Sequence, residues 1–157
     1  MRKSSTGLLV LASSMCLGLT PLPAKDAPEE EARHLVGSFM QALKASDLDG
    51  LLAVVDVPWF HDGKRILNDR ADLKAEFKQL LEKKKDLSAL TFDIKQLTPY
   101  RTLRPKTNVE ERKLLDEVIT PDDYVALLRV EVKTKVEHVV LAIRRRDCVV
   151  KIVGIKN

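Results

Sequence analysis

Residues 124–156 read YVALLRVEVKTKVEHVVLAIRRRDCVVKIVGIK, three apolar-rich runs separated by charged breaks. In the first run Tyr124, Ala126, Leu128, Val130, Val132 and Thr134 alternate with Arg129, Glu131 and Lys133. Side chains on a strand point alternately to opposite faces, so this run has one apolar and one wet face. The second run is apolar on both faces at Val139, Val140, Leu141, Ala142 and Ile143, as suits a strand covered on both sides. The third run, from Val149 to Ile155, is rich in β-branched residues, which fit a pleated surface. Three such runs in succession predict an antiparallel meander with turns near 134–136 and 145–147. A sheet with a greasy face needs a cover, so the upstream chain must supply helices.

The first 24 residues differ in character. Arg2 and Lys3 precede an apolar stretch over 8–19, followed by Pro21, Leu22, Pro23 and Ala24, and no acidic residue occurs before Asp26. This is the layout of a secretory signal peptide, with cleavage expected after Ala24. The apolar stretch is short of the roughly 20 residues of a membrane span. Export to the periplasm or the medium is therefore expected, with residues 25–157 forming one domain. No stable membrane span is expected after cleavage. Lipidation at Cys16 is disfavoured, because Met15 stands where such sites prefer a small residue. Without the leader, Cys148 is the single cysteine and can form no internal disulfide. Cleavage also reduces 27 basic residues to 25 against 23 acidic, so a formal charge of +4 becomes +2. Basic clusters at 83–85, 101–106 and 144–146 lack interleaved aromatics, and no nucleic-acid surface is expected.

Helical spacing marks the cover. Over 26–46, Ala32, Leu35, Val36, Phe39, Ala42 and Leu43 form one apolar stripe that leaves His34 in solvent, with Asp26 as cap and Glu29, Glu30 and Glu31 in the first turn. A second helix begins at Ser46 and Asp47, carries Leu48, Leu51, Leu52 and Val55, and ends before Pro58. Residues 59–64, WFHDGK, are read as a turn with aromatic shoulders, followed by a short strand at 65–67. Asn68 or Asp69 caps a third helix with Leu73, Phe77, Leu80 and Leu81 inward. A strand begins near Leu90, residues 99–105 form a basic loop, and Asn108 with Glu111 caps a helix over 108–119.

The order of elements, with FMQALKASDLDGLLAVV, VPWFHDG, RILNDRADLKAEF and HVVLAIRRRDCVVKIVGI, resembles the nuclear transport factor 2-like superfamily, which includes SnoaL-like proteins and ketosteroid isomerase. The likeness spans about 29–155, with 99–120 as an insertion. It implies an α+β fold: a curved antiparallel sheet wrapped by the N-terminal helices into a cone with a pocket at its open end. Members include enzymes, binding modules and oligomerisation domains, so the fold leaves the function open. By register with the isomerase, Asp62 is the nearest match to the carboxylate base. Phe39 falls where a tyrosine donates to the oxyanion, and residues 139–141 fall where a protonated Asp does. A phenyl ring and aliphatic neighbours stabilise no dienolate, which argues against isomerase chemistry.

His61 and Asp62 are the candidate catalytic pair, as base and partner, set against a solvated turn before Gly63. The expected pocket wall is Phe39, Leu43, Leu52, Val55, Trp59, Phe77, Phe92, Leu128 and Val130, with Tyr100 and His138 at the rim. Three scattered histidines show no metal-ligand spacing, and no cofactor is expected. The wall has no ionisable group, so the leading expectation is a binding domain for a small apolar ligand or a protein partner. A lyase- or isomerase-like enzyme using His61 or Asp62 is the alternative. A homodimerisation module acting through the outer sheet face is the third.

Overall fold

The computed structural model describes residues 27–83 and 86–157. The expected signal segment, with Cys16 and the cap at Asp26, lies outside the described residues. Three helices and a short hairpin come first: α1 (Ala27–Ala45), α2 (Leu48–Val54), β1 (Val55–His61), β2 (Arg65–Leu67) and α3 (Arg70–Lys83). There follow β3 (Thr91–Pro99), α4 (Tyr100–Leu103), a 3-10 turn at Arg104–Lys106, α5 (Val109–Val118), β4 (Tyr124–Val132), β5 (Lys135–Arg146) and β6 (Val149–Lys156).

Six strands form one open sheet in the order β2-β1-β6-β5-β4-β3. The meander is antiparallel as expected, with Leu128 opposite Val139 and Ala126 opposite Leu141. Its turns are tighter than expected. β5 begins at Lys135 and runs to Arg146, leaving Asp147 and Cys148, both at positive φ, to make the second reversal. The sheet as a whole is mixed rather than antiparallel, because β1 lies parallel to β6.

β1 corrects the sequence reading most. Residues 59–64 are not a turn: Trp59, Phe60 and His61 are strand residues, and Val55 begins the strand rather than lining α2. Pro58 is tolerated because it falls inside the register shift between Val55 and Phe60, where β1 makes no ladder pair with β6. The reversal that follows is confined to Asp62, Gly63 and Lys64, with Asp62 and Gly63 at φ 50° and 71°. Further along β6, a Cβ on Gly154 would meet the Phe60 Cβ at 2.7 Å, so only glycine lets β1 approach this closely.

Each sheet face carries its own core. On the inner face Val36, Phe39 and Leu43 of α1, Leu51 of α2 and Leu73 and Phe77 of α3 pack on Trp59, Leu128, Leu141, Ile143 and Ile152. On the outer face Tyr100 of α4 and Leu115 and Val118 of α5 cover Phe60, Val125, Ala142 and Val153. Of residues 99–105, Pro99 ends β3 and the rest are helical rather than an irregular loop, and the insertion is the lid of a second core. Asn108 caps α5 as expected, accepting from the Glu111 N–H at 2.8 Å. Asp47 caps α2 through the Gly50 N–H, and Asp69 caps α3 by accepting from Ala71 N–H at 2.6 Å.

Candidate functional site

The nine expected wall residues all belong to the inner core, and five of them, Phe39, Leu43, Trp59, Phe77 and Val130, also line cavities. Phe77 packs edge-on against Phe39 and Trp59, with ring centroids 6.2 and 5.4 Å away. Leu52, Val55, Phe92 and Leu128 lie on none of three cavities near the open end, where α1 and α3 finish beside the β4–β5 hairpin.

The largest of the three, about 440 Å³, lies between Leu87 and the hairpin and is floored by Val130 and Val132. Lys133 and Asp86 form an ion pair of 3.1 Å at this cavity. A small chamber of about 70 Å³ continues inward, lined by Phe39, Met40, Leu43, Leu80 and Val139. Glu137 lines both, because its register opposite Val130 turns it to the inner face.

A third space, a cleft of about 230 Å³, lies between α3 and the end of β1. Trp59, Leu73, Phe77, Leu80 and Ile155 wall it, and His61, Asp62, Glu76, Gln79, Lys83 and Asn157 are its polar lining. Leu80, Ile155 and Asn157 are shared with the small chamber, so cleft and chamber adjoin.

The structure separates the expected pair His61–Asp62 and gives each a different partner. Asp62 accepts from Lys64 Nζ at 3.2 Å and from the Asn157 N–H at 3.5 Å. The Lys64 hydrogen bond holds its carboxyl below the usual carboxylate range. His61 instead faces Glu76 of α3, with Nε2 3.8 Å from Oε2. The other Glu76 oxygen is taken by Arg65 of β2. The His61 Nδ1 is buried and has no hydrogen-bond partner among the described residues.

Glu76 is the residue that the sequence reading missed. It stands three residues after Leu73 and four before Leu80, a carboxylate inside an apolar stripe, and that interruption was its visible signal. Glu137 left no such signal, since its face depends on strand register.

The expected rim residues are elsewhere. Tyr100 is fully buried on the outer face and donates from its hydroxyl to Asp116 Oδ1 at 3.1 Å. His138 does share a face with Val136 and Val140, but that face is the outer one, and the side chain is exposed opposite Arg129. Among the described residues no group of three or more His, Cys, Asp or Glu is placed to hold a metal ion. Nor is any described helix long and apolar enough to cross a membrane.

No family model matches the chain, and no curated protein matches it. Solved structures do. An NTF2-like protein of unknown function from Shewanella oneidensis MR-1 shares 15% identity over 82% of this chain and 97% of its own, with a TM-score of 0.55. A second NTF2-like protein of unknown function, from Pseudomonas putida KT2440, shares 16% over 84% and 86%, with a TM-score of 0.51. A cystatin-like-fold protein of unknown function from Nostoc punctiforme PCC 73102 shares 14% over 87% and 92%, with a TM-score of 0.53. At these identities the likeness is one of fold, and the fold is the nuclear transport factor 2-like cone.

Proposed function

We propose that this is an exported, non-catalytic domain that binds a small, mostly apolar molecule at the open end of the cone. The observation that carries the reading is the cavity of about 440 Å³ floored by Leu87, Val130 and Val132 and continued inward between α1 and β5. Its volume falls in the range of small-molecule sites, and burying apolar surface there yields about 25 cal/mol per Å². Lys133, Lys135, Asp86 and Glu137 place both charge signs around it. Lys133 is already paired with Asp86 at 3.1 Å, which neutralises a cation that a developing anion would need. Export rests on the basic start, apolar stretch and Ala24 of the leader.

The uncharged fluorophore N-phenyl-1-naphthylamine tests the binding. The full chain should bind it saturably at one site, and Val132→Glu should weaken that binding at least tenfold. Absence of saturable binding would overturn the reading. The enzyme alternative keeps one supporting observation, the orientation of His61 by Glu76 in the adjoining cleft. Turnover of a carbonyl or hydroxyl substrate that disappears in His61→Ala, with fluorophore binding retained, would favour it over binding alone. For the dimer reading, α4 and α5 already cover Phe60, Val125, Ala142 and Val153, while Val136 and His138 stay exposed on the outer face.

A further inference from the structure

We propose that the cleft between α3 and β1 holds its ligand by one hydroxyl group, bridged between His61 Nε2 and Glu76 Oε2. This deepens the binding reading and rests on it. The two atoms are 3.8 Å apart, too far for a direct hydrogen bond and close enough for one oxygen to reach both. Glu76 is held in place from behind, because Arg65 engages its other oxygen.

The protonation pattern follows from burial. A neutral imidazole carries its proton on one nitrogen only. His61 Nδ1 is buried without a partner among the described residues, and a buried N–H with no acceptor is costly. The proton therefore sits on Nε2, facing the Glu76 carboxylate. A donor and an acceptor side by side, with a gap between them, match a group that both accepts and donates. A hydroxyl accepts from Nε2–H and donates to Oε2. A ligand carboxylate would be repelled by Glu76, and an ammonium would face the imidazole N–H without an acceptor there. Trp59, Leu73, Phe77, Leu80 and Ile155 supply the apolar wall, with Asp62, Gln79, Lys83 and Asn157 as the remaining polar lining, so the body attached to the hydroxyl is apolar where it meets that wall, and about 230 Å³ suits a single ring.

Phenol and toluene, nearly equal in size and differing at the hydroxyl, are the probes. With the full chain and ¹⁵N-labelled histidine, phenol should bind at least tenfold tighter than toluene and should shift the His61 Nε2 resonance, which toluene should leave in place. His61→Phe, which keeps an aromatic at the site, and Glu76→Gln should each bring the ratio toward one. The resonance shift in the unaltered protein keeps the test valid should either variant fold poorly. Equal affinities with no Nε2 shift would overturn the hydroxyl anchor while leaving apolar binding intact, as would a bridging water that phenol fails to displace. If neither probe perturbs Trp59 or His61, the anchor fails and the cleft is no part of the binding region. Should the fluorophore also fail to bind, the whole binding reading goes with it.

Discussion

Trp59 is 1% exposed and lies edge-on to Phe77, so its indole is a core side chain and not the exposed shoulder of a turn. Trp59→Ala should cost about 3 kcal/mol, seen as a lower denaturant midpoint with an unchanged slope. A loss near zero would mean that the indole is not packed in solution. Gly154→Ala should cost about 1–3 kcal/mol by overpacking, since its Cβ would meet both the Phe60 side chain and the Phe60 carbonyl. Tyr100 makes a pH prediction. Burial, with Asp116 beside the hydroxyl, pushes its pKa from 10.0 to about 12. The native state thus keeps a proton between pH 10.0 and about 12 that the unfolded chain releases. Stability from this group is complete below 10.0 and is lost as pH rises toward 12. Tyrosinate absorbance should contain a component titrating near 12 that is absent from Tyr100→Phe, whose alkaline stability loss should also be smaller.

At the scale of elements, the insertion behaves as a clasp. Arg104 grips Asp116 with two hydrogen bonds, of 2.9 and 2.7 Å, and Tyr100 adds a third to the same carboxylate. These bonds hold the Asp116 carboxyl below its usual range, the Arg104 hydrogen bond being the largest cause. Asp116→Ala leaves the buried Tyr100 hydroxyl unsatisfied, which costs about 1–3 kcal/mol. Amide exchange in α4 and α5 should rise more than in β5, because the clasp joins α4 and the 3-10 turn to α5 within the outer cover. A uniform rise would mean that the two cores unfold together. Asn108→Ala should cost about 1 kcal/mol by removing the α5 cap, with the effect concentrated in the first turn of that helix. The elements also show where local reading stops. α1, α3 and α5 were legible because each apolar stripe lies within one helix, and because Asn108 caps α5 within its own first turn. β1 was not, because what makes it a strand is β6, which follows it by some 90 residues.

For the whole molecule, the leader makes the prediction. Native protein should begin near Lys25, with the 24 preceding residues absent by mass spectrometry. An intact Met1 form in the cytosol would sink the export reading. The same outcome would restore the formal charge of +4 to the mature chain.

The cone-shaped class of fold was implied by the family resemblance, while the amino-acid order alone determined the meander, the three long helices and the Asn108 cap. Those features follow from periods of 2 and 3.6 and from hydrogen bonds that close within a few residues. Tertiary structure decided which face of each strand turned inward. Alternation separates Glu137 from His138, yet both lie in a run whose two faces are mixed, and only the pairing of Glu137 with Val130 set the carboxylate inside and the imidazole outside. It also decided that an expected pocket wall became packed core with cavities at its end, since the volume left between helices and sheet depends on how side chains from distant segments interlock. And it chose the partner of His61. Asp62 was adjacent in sequence, but its backbone at positive φ turned its carboxylate toward Lys64, while α3 packed against β1 and brought Glu76 to the imidazole from 15 residues away.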